Sequence, residues 1–241
     1  MIQQKIPKSK PLTVLLIGNG AREHAICSKL SQSEQIGELL VAPGNAGTSL
    51  IASNIPIQTN DIDGLLKLAK SKNVDFTVVA PELPLAEGIV DTFQESGINI
   101  FGPRRDAALI ESSKSFAKTL MLENDIPTGA AQIFSNYEEA CQYVKESTIP
   151  IVIKADGLAA GKGVTVAKTQ DEAIKALGEC MRDKQFGTAG DLVLVEDYLE
   201  GPEVSVFAFV DGDLVSSMVA ACDYKRVGEG NTGANTGGMG A

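Results

Sequence analysis

The stretch Ile149–Ala167, which reads Ile-Pro-Ile-Val-Ile-Lys-Ala-Asp-Gly-Leu-Ala-Ala-Gly-Lys-Gly-Val-Thr-Val-Ala, decides the fold. Its two β-branched runs, 151–153 and 164–166, predict the two strands of a hairpin. Three glycines lie between the runs, with Lys154 and Lys162 beside them. Glycines let successive N–H groups turn toward an anion, and lysines add positive charge. The hairpin therefore predicts a polyphosphate site, with an ordinary mobile hairpin as the alternative.

Composition limits the classes of protein to consider. The 241 residues are 44% hydrophobic and only 5% aromatic, which indicates an α/β protein of one or two domains. The formal charge of −10 argues against non-specific nucleic-acid binding and against anionic membranes, so any anionic ligand needs a local cluster of basic residues. The four cysteines form no C-x-x-C pair and His24 is the one histidine. We therefore expect reduced cysteines, no zinc site, no membrane segment and a cytoplasmic location.

The first hundred residues alternate between strands and helices. The apolar run Leu12–Ile17 predicts a parallel strand buried on both faces, and three further strands and two helices follow it (strands 38–41, 76–79 and 98–101; helices 63–72 and 89–96). Unusual loops follow the strands at 18–24, 43–48 and 80–85. Ligands bind at the carboxyl ends of strands in such sheets, so we expect these loops to line one crevice. A dinucleotide is disfavoured, because Glu23 replaces the third glycine of G-x-G-x-x-G.

The alternation of strands and helices ends after Arg104. Residues 106–124 predict a long helix or helix pair with an apolar stripe (Leu109, Phe116, Leu120 and Met121) and with Lys114 off that stripe. Capping boxes at Ser135 and Thr169 predict the starts of two helices on either side of the hairpin. The last strand of this α+β lobe, 192–195, continues into the acidic segment 196–203. That segment offers backbone groups to adenine and carboxylates to ribose, although an acidic turn is the alternative.

These features together resemble a known family. The hairpin, with Glu196-x-x-Leu199-x-x-x-Glu203, resembles the ATP-grasp fold. Five further motifs narrow the resemblance to the phosphoribosylamine–glycine ligases, also called glycinamide ribonucleotide synthetases (18–24, 43–48, 81–85, 223–226 and 235–241). The resemblance extends from Leu12 to Ala241. It implies ATP-dependent ligation of glycine to 5-phosphoribosylamine through glycyl phosphate, the second step of purine synthesis.

The resemblance also assigns residues. The implied ATP site comprises Lys114, Lys154, Gly157, Gly161, Lys162, Gly163, Glu196, Leu199 and Glu203. Glu196 and Leu199 would meet adenine through backbone groups, and Glu203 would take the ribose hydroxyls. The phosphoribosylamine and glycine side comprises Gly18, Asn19, Gly20, Arg22, Glu23, Gly44, Asn45, Ala46, Gly47, Glu82, Asn235, Gly237 and Gly238. The residues implied in catalysis are Asp223, Lys225 and Arg226.

The expected architecture is a Rossmann-like N-terminal domain with a parallel sheet, followed by an ATP-grasp domain. The boundaries we predict are a basic tail at 1–11, the substrate-binding domain at 12–105, a helical connection at 106–130, a small lobe at 131–199 and an incomplete large lobe at 200–241. Tyr224, Ala234 and Ala80 stand where the family usually has His, Pro and Gly. The loss of a histidine at Tyr224 removes a potential proton carrier.

The family's Mg²⁺ ligands follow a pattern that is missing after Glu203, so we assign no metal ligand here and expect those ligands beyond residue 241. The chain is accordingly interpreted as an N-terminal fragment that alone makes no product and exposes apolar surface. Two alternatives stay open: another ATP-grasp ligase of nucleotide synthesis, and a non-catalytic module that binds a phospho-sugar or nucleotide. Fusion to, or association with, later purine-pathway domains is also left open.

Overall fold

The computed structural model describes residues 10–159, 163–230, 232–236 and 238–241. The chain divides into two compact units, one ending at Tyr198 and the other beginning at Leu199. Within the described ranges, no helix combines the length and the apolar character needed to cross a bilayer. Each unit is described by itself below.

The first unit begins with a five-stranded parallel sheet of order β3-β2-β1-β4-β5. Helices and a 3-10 turn at Thr48–Leu50 connect the strands. The elements are β1 (Leu12–Gly18), α1 (Ala21–Leu30), β2 (Ile36–Pro43), β3 (Ser53–Asn54), α2 (Ile62–Ser71), β4 (Phe76–Val79), α3 (Glu82–Glu87), α4 (Ile89–Glu95) and β5 (Ile100–Phe101). This order confirms the predicted parallel sheet and brings the ends of β1, β2 and β4 to one edge.

The central strand β1 is buried on both faces, as its continuous apolar run predicts. Leu15 and Ile17 belong to one buried cluster, which includes Leu65 of α2 and Phe93 of α4. Val14 and Leu16 belong to the cluster on the other face, which includes Cys27 of α1. Because successive side chains of a strand point to opposite faces, one short run supplies both cores.

Helix α3 corrects the sequence-based expectation of a loop after β4. The sequence predicts a loop at 80–85, a segment that contains two prolines. Pro81 instead occupies the N-cap position, and Pro84 falls in the first turn, where a missing backbone N–H costs nothing. Glu82 thus begins a helix at the carboxyl end of β4.

Helices α5 (Arg105–Ser112) and α6 (Lys114–Glu123) confirm the predicted helix pair. Ser113 separates them in an extended conformation and caps α6 by accepting the Phe116 N–H. The predicted apolar stripe is wrong as a core face, since Leu109 and Phe116 are exposed. The buried residue of α6 is Lys118.

A four-stranded antiparallel sheet of order β6-β9-β7-β8 completes the first unit. Its elements are β6 (Ala131–Phe134), α7 (Tyr137–Glu146), β7 (Ile151–Ala155), β8 (Val164–Ala167), α8 (Gln170–Met181), a 3-10 turn (Gly187–Gly190) and β9 (Val193–Asp197). Helices α7 and α8 pack on one face through Val144, Leu177 and neighbouring small residues. The predicted hairpin and the predicted order of elements are confirmed.

The two predicted helix starts differ in outcome. Thr169 caps α8 by accepting the Glu172 N–H, as its capping box predicts. The cap of α7 is Asn136, which accepts the Glu139 N–H, so the predicted cap at Ser135 is wrong by one residue. Both residue types can cap a helix, and the sequence places them side by side.

The second unit contains short antiparallel pairs: β10 (Ser205–Phe207) with β13 (Val219–Ala221), β11 (Val210–Asp211) with β12 (Leu214–Val215), and β14 (Arg226–Gly228) with β15 (Thr232–Asn235). Many of its apolar side chains are exposed, among them Phe207, Leu214 and Met218. The expectation of exposed apolar surface is confirmed for this unit.

Candidate functional site

Three loops meet at the carboxyl edge of the parallel sheet. Asn45 donates from its side-chain amide to the carbonyl oxygens of Asn19 (3.0 Å) and Gly20 (3.1 Å), which ties the loop after β2 to the loop after β1. The Gly44 N–H donates to the Gly18 carbonyl at 3.1 Å. Gly18 has φ +140°, and a methyl group there would overlap the Glu23 side chain. The predicted crevice loops are therefore physically joined.

Helix α3, which follows β4, is joined to the same edge by an ion pair. Arg22 donates to Glu82 at 2.8 Å, and both side chains are substantially exposed. The hydrogen bond from Arg22 lowers the pKa of the Glu82 carboxyl, although partial burial opposes the shift. The same contact raises the pKa of Arg22. The pair places opposite, solvent-accessible charges at this edge of the sheet.

Glu23 lies beneath this crevice and is buried, with 4% of its surface exposed. One carboxylate oxygen accepts the Gly20 N–H at 2.5 Å, so Glu23 satisfies the backbone N–H of the residue that precedes α1. The other oxygen, Oε1, is buried without a hydrogen-bond partner in the described structure. Glu23 thus shapes the Gly18–Gly20 turn from below. Ala46 and Gly47 complete the second loop, and a methyl group on Gly47 would overlap the His24 ring.

The second half of the candidate site lies at the base of the β7–β8 hairpin. The start of α6 is bound to the residues that follow β7: the Ser115 N–H donates to the Asp156 carboxylate at 2.5 Å, and the Ser113 hydroxyl donates to it at 3.2 Å. The Lys114 ammonium donates to the Gly157 carbonyl at 2.9 Å. Helix α6 and the hairpin therefore hold Lys114 near the backbone that the sequence predicts to close over phosphates.

Lys154 of β7 and Glu196 of β9 lie on neighbouring strands of this lobe. The register pairs Val152 with Glu196. Lys154 lies two residues after Val152, so the side chains of Lys154 and Glu196 point to the same face of the sheet. The Lys154 ammonium forms an ion pair with Glu196 Oε2. Glu196 Oε1 receives a second ammonium, that of Lys118 on α6. One carboxylate thus lies between two lysines.

The ionisation of these groups follows from burial and charge. Burial raises the pKa of the Glu196 carboxyl, but the hydrogen bonds from Lys118 and Lys154 outweigh burial and hold the pKa below its ordinary value. Burial lowers the pKa of Lys114, and Lys154 contributes to the same shift by repulsion. Two cations beside a glycine hairpin are suited to phosphate oxygens.

Some predicted residues of the hairpin and of the last loop lie outside the described ranges, namely Gly161, Lys162 and Gly237. Gly157 and Gly163 are described. A methyl group at Gly157 would come within 2.8 Å of the Ala189 methyl, and one at Gly163 within 2.7 Å of the Ala159 methyl. Both glycines are therefore required by close packing at the hairpin base, whatever else they do.

The remaining predicted residues belong to the second unit. Lys225 lies 3.3 Å from Glu203 and 3.7 Å from Asp223, and the hydrogen bond from Lys225 to Glu203 raises the lysine's pKa. Arg226 donates to the Gly233 carbonyl at 2.7 Å, and the β14–β15 register pairs Arg226 with Asn235. The Gly238 N–H donates to the Thr236 hydroxyl at 3.0 Å. The predicted catalytic and loop residues thus cluster within this unit, while Leu199 is exposed in it.

The described residues contain no group of three or more His, Cys, Asp or Glu side chains that could hold a metal ion. A magnesium ion therefore does not fit the described part of this chain by protein ligands alone. The clusters at hand are two lysines around Glu196 and two carboxylates around Lys225, so every carboxylate in them already has an ammonium partner.

Sequence reasoning missed Lys118 and Asp156. Lys118 follows Lys114 by four residues, so the two share a helix face, and that spacing was the available signal. Asp156 stands next to the predicted phosphate loop, but its carboxylate is used to cap α6. Neither contact could be read from spacing, since the partners lie 78 and 41 residues away in sequence.

Comparison with known proteins matches the whole described architecture to one family. The sequence model of the phosphoribosylglycinamide synthetase N domain matches residues 12–111. The model of the phosphoribosylglycinamide synthetase ATP-grasp (A) domain matches residues 112–241. The junction between the two models falls at the end of α5.

Relatives with this family's name are similar over nearly the entire chain. Phosphoribosylamine–glycine ligases of Halalkalibacterium halodurans and Caldanaerobacter subterraneus are 51% and 49% identical to it over 95% of its length. The matched region is 54% and 55% of those relatives, so the chain spans about half the length of the curated relatives it matches.

Solved structures give the same result. The crystal structure of phosphoribosylamine–glycine ligase from Thermotoga maritima superposes with a TM-score of 0.76 at 31% identity, and covers 95% of this chain and 54% of that one. An N5-carboxyaminoimidazole ribonucleotide synthetase in complex with ADP shares the fold at 18% identity and a TM-score of 0.59, over 88% of this chain and 53% of that one. The chain, a parallel-sheet N-terminal domain followed by an ATP-grasp domain, belongs to the phosphoribosylglycinamide synthetase family.

Proposed function

We propose that this chain serves the ATP-dependent ligation of glycine to 5-phosphoribosylamine, which yields glycinamide ribonucleotide, ADP and phosphate. The observation that carries the proposal is the convergence of Lys114 and Lys154 on the base of a glycine hairpin, in a chain of this family. The relatives that bear the name phosphoribosylamine–glycine ligase are about twice as long as this chain.

The small lobe is assigned to ATP. Lys154 retains 29% exposure of its side chain, so its ammonium can reach a ligand without unfolding its surroundings. Lys114 is half-buried and held by the Gly157 carbonyl. ATP supplies an activated phosphoryl group, and these residues would hold its phosphates while the 157–163 loop shields them from water. Leu199 and the backbone of Glu196 are assigned to adenine, and Glu203 to the ribose hydroxyls.

The crevice of the parallel sheet is assigned to phosphoribosylamine. The N-terminus of α1, with the glycine turn 18–20 before it, offers backbone N–H groups to the phosphate of the substrate. Arg22 adds positive charge, and Glu82 offers a carboxylate to sugar hydroxyls or to an amine. Asn19, Gly20, Glu23 and the 44–47 loop fix the shape of this crevice through the contacts described above.

The second unit is assigned to the reacting groups, through Asp223, Lys225, Arg226 and the 235–240 loop. Mg²⁺ belongs to the proposed reaction, although the described residues offer no carboxylate cluster for it. The setting we propose is the cytoplasm, in agreement with four cysteines that are all free.

Isothermal titration calorimetry with Mg·ATP tests the ATP assignment. Lys154→Met should reduce affinity by about tenfold or more, since hydrogen bonds to charged groups contribute roughly 1.5–3 kcal/mol each. Lys175→Met is the matched control, because Lys175 is an exposed lysine of α8 in the same lobe. Equal affinity of the two variants would show that the phosphates have been misplaced.

A second titration tests the sugar-phosphate assignment with glycinamide ribonucleotide, the stable product. Arg22→Met should weaken binding, whereas Arg104→Met should not, although Arg104 also forms a surface pair with a carboxylate at 3.1 Å. Release of ADP that depends on both glycine and phosphoribosylamine, measured with the full-length protein, tests the reaction itself. ADP release without glycine would reject the proposed ligation.

A further inference from the structure

Lys118 is a buried lysine to which no role has yet been assigned. Its residue exposure is 3%, and it lies on the inner face of α6. Its ammonium donates to the Thr128 hydroxyl at 2.6 Å, to the Gly129 carbonyl at 2.8 Å and to Glu196 Oε1. These three acceptors match the three donors of an ammonium group, so Lys118 has no donor left for a ligand.

Lys154 differs from Lys118 although both bind the same carboxylate. Its side chain is 29% exposed, against 4% for Lys118. In the described part of the chain, Glu196 is its only ion-pair partner. An incoming anion can therefore reach Lys154 and cannot reach Lys118.

The cluster of Lys118, Lys154 and Glu196 has one more positive charge than negative charge. Two ammonium groups and one carboxylate carry a net charge of about +1 in a largely buried setting, where unpaired charge is costly. Lys118 is held by three fixed acceptors and neutralises Glu196 permanently. The excess positive charge is thus left on Lys154, at the accessible end of the cluster.

We propose that Lys118 is a positioning residue for nucleotide phosphates: it neutralises Glu196, so that Lys154 can leave that carboxylate for a phosphate without exposing a buried, unpaired anion. The inference rests on the proposed ATP site and deepens it. Without Lys118, Glu196 would have Lys154 as its sole counter-ion, and a phosphate would compete with that carboxylate for the lysine.

The test measures binding of inorganic tripolyphosphate, which carries the phosphates without base or ribose, alongside Mg·ATP. Lys118→Met should weaken tripolyphosphate binding by about tenfold or more, since the phosphate must then break a buried ion pair. Glu196→Gln added to Lys118→Met should restore affinity to within about twofold of the unmutated chain. In the double variant no buried carboxylate depends on Lys154, so the phosphate no longer competes for it. Lys118→Gln, which keeps a donor for Gly129, repeats the comparison if the methionine variant folds poorly, and thermal unfolding of each variant checks folding.

The restored affinity separates this role from a structural one. If Lys118 only tied α6 to β9, the double variant would bind no better than Lys118→Met, and that result would overturn the inference. Unchanged tripolyphosphate affinity in Lys118→Met, or no tripolyphosphate binding by the unmutated chain, would overturn it as well. A chain that binds tripolyphosphate but does not bind Mg·ATP would instead reject the proposed ATP site, while the role of Lys118 in phosphate binding would stand.

Discussion

The tie between helix α6 and the hairpin should be a measurable part of the stability of the first unit. Asp156→Ala removes the acceptor of the Ser115 N–H (2.5 Å) and of the Ser113 hydroxyl (3.2 Å). A hydrogen bond to a charged group contributes roughly 1.5–3 kcal/mol, and a carboxylate at a helix N-terminus a further 0.3–1 kcal/mol or so. Ser113 still caps the Phe116 N–H, and Asp156 is only partly buried. We therefore expect a loss of about 2–3 kcal/mol.

Urea unfolding followed by circular dichroism measures this loss, and hydrogen exchange of the Ser115 amide localises it. Asp61→Ala is the matched control, because Asp61 caps α2 through the Gly64 N–H at 2.9 Å and ties no second element. A helix cap alone contributes typically about 1 kcal/mol. If Asp156→Ala costs no more than Asp61→Ala, then the carboxylate acts only as a cap and adds nothing to the attachment of the hairpin to α6.

Three further predictions concern packing and ionisation. Gly190→Ala should destabilise the chain, because its methyl group would overlap the Cys180 carbonyl. Gly178→Ala should instead stabilise α8 by about 0.5–1 kcal/mol, because a methyl group there meets nothing nearer than 4.0 Å. Thermal unfolding of the two variants checks that the two effects have opposite signs. Lys114 should lose its proton below its ordinary pKa of 10.5 in an NMR titration of lysine side chains, since burial lowers its pKa; a midpoint at or above that value would contradict the burial. The pKa of Glu196 lies below its ordinary 4.5 in the folded chain, so its contribution to stability is present above pH 4.5 and is lost as pH falls further. The difference in unfolding free energy between Glu196→Gln and the unmutated chain should therefore shrink in acid, and a constant difference would refute the ionised carboxylate.

The parallel sheet and the hairpin could be predicted because their signals are local. The apolar run of β1 and the β-branched strands at 151–153 and 164–166 depend on neighbours within a few residues. The same holds for the glycine loops, whose place at one sheet edge follows from the direction of parallel strands. Helix α3 was missed because proline was weighed as a turn residue, although the first turn of a helix accepts it.

The electrostatics of the site could not be predicted in the same way. Whether a lysine of α6 is exposed or buried depends on what reaches it from elsewhere in the chain, and the acceptors of Lys118 come from Thr128, Gly129 and Glu196. Spacing alone placed Lys118 beside Lys114 on the helix, where a solvated lysine is the usual outcome. The apolar stripe of this helix was misjudged for the same reason, since Phe116 proved more exposed than Lys118.

An acidic chain with a proposed polyanion site must separate its local charge from its total charge. The formal charge is −10, yet interactions between exposed charges fade beyond about 8–10 Å at ordinary ionic strength. What a phosphate meets at the hairpin base is therefore set by Lys114, Lys118, Lys154 and the one carboxylate among them. Of these cations, Lys118 is buried in an ion pair with Glu196. Lys114 and Lys154 lie nearer the glycine loop. We therefore expect anion binding at the proposed site to depend on which lysine the carboxylate keeps, more than on how many lysines the lobe contains.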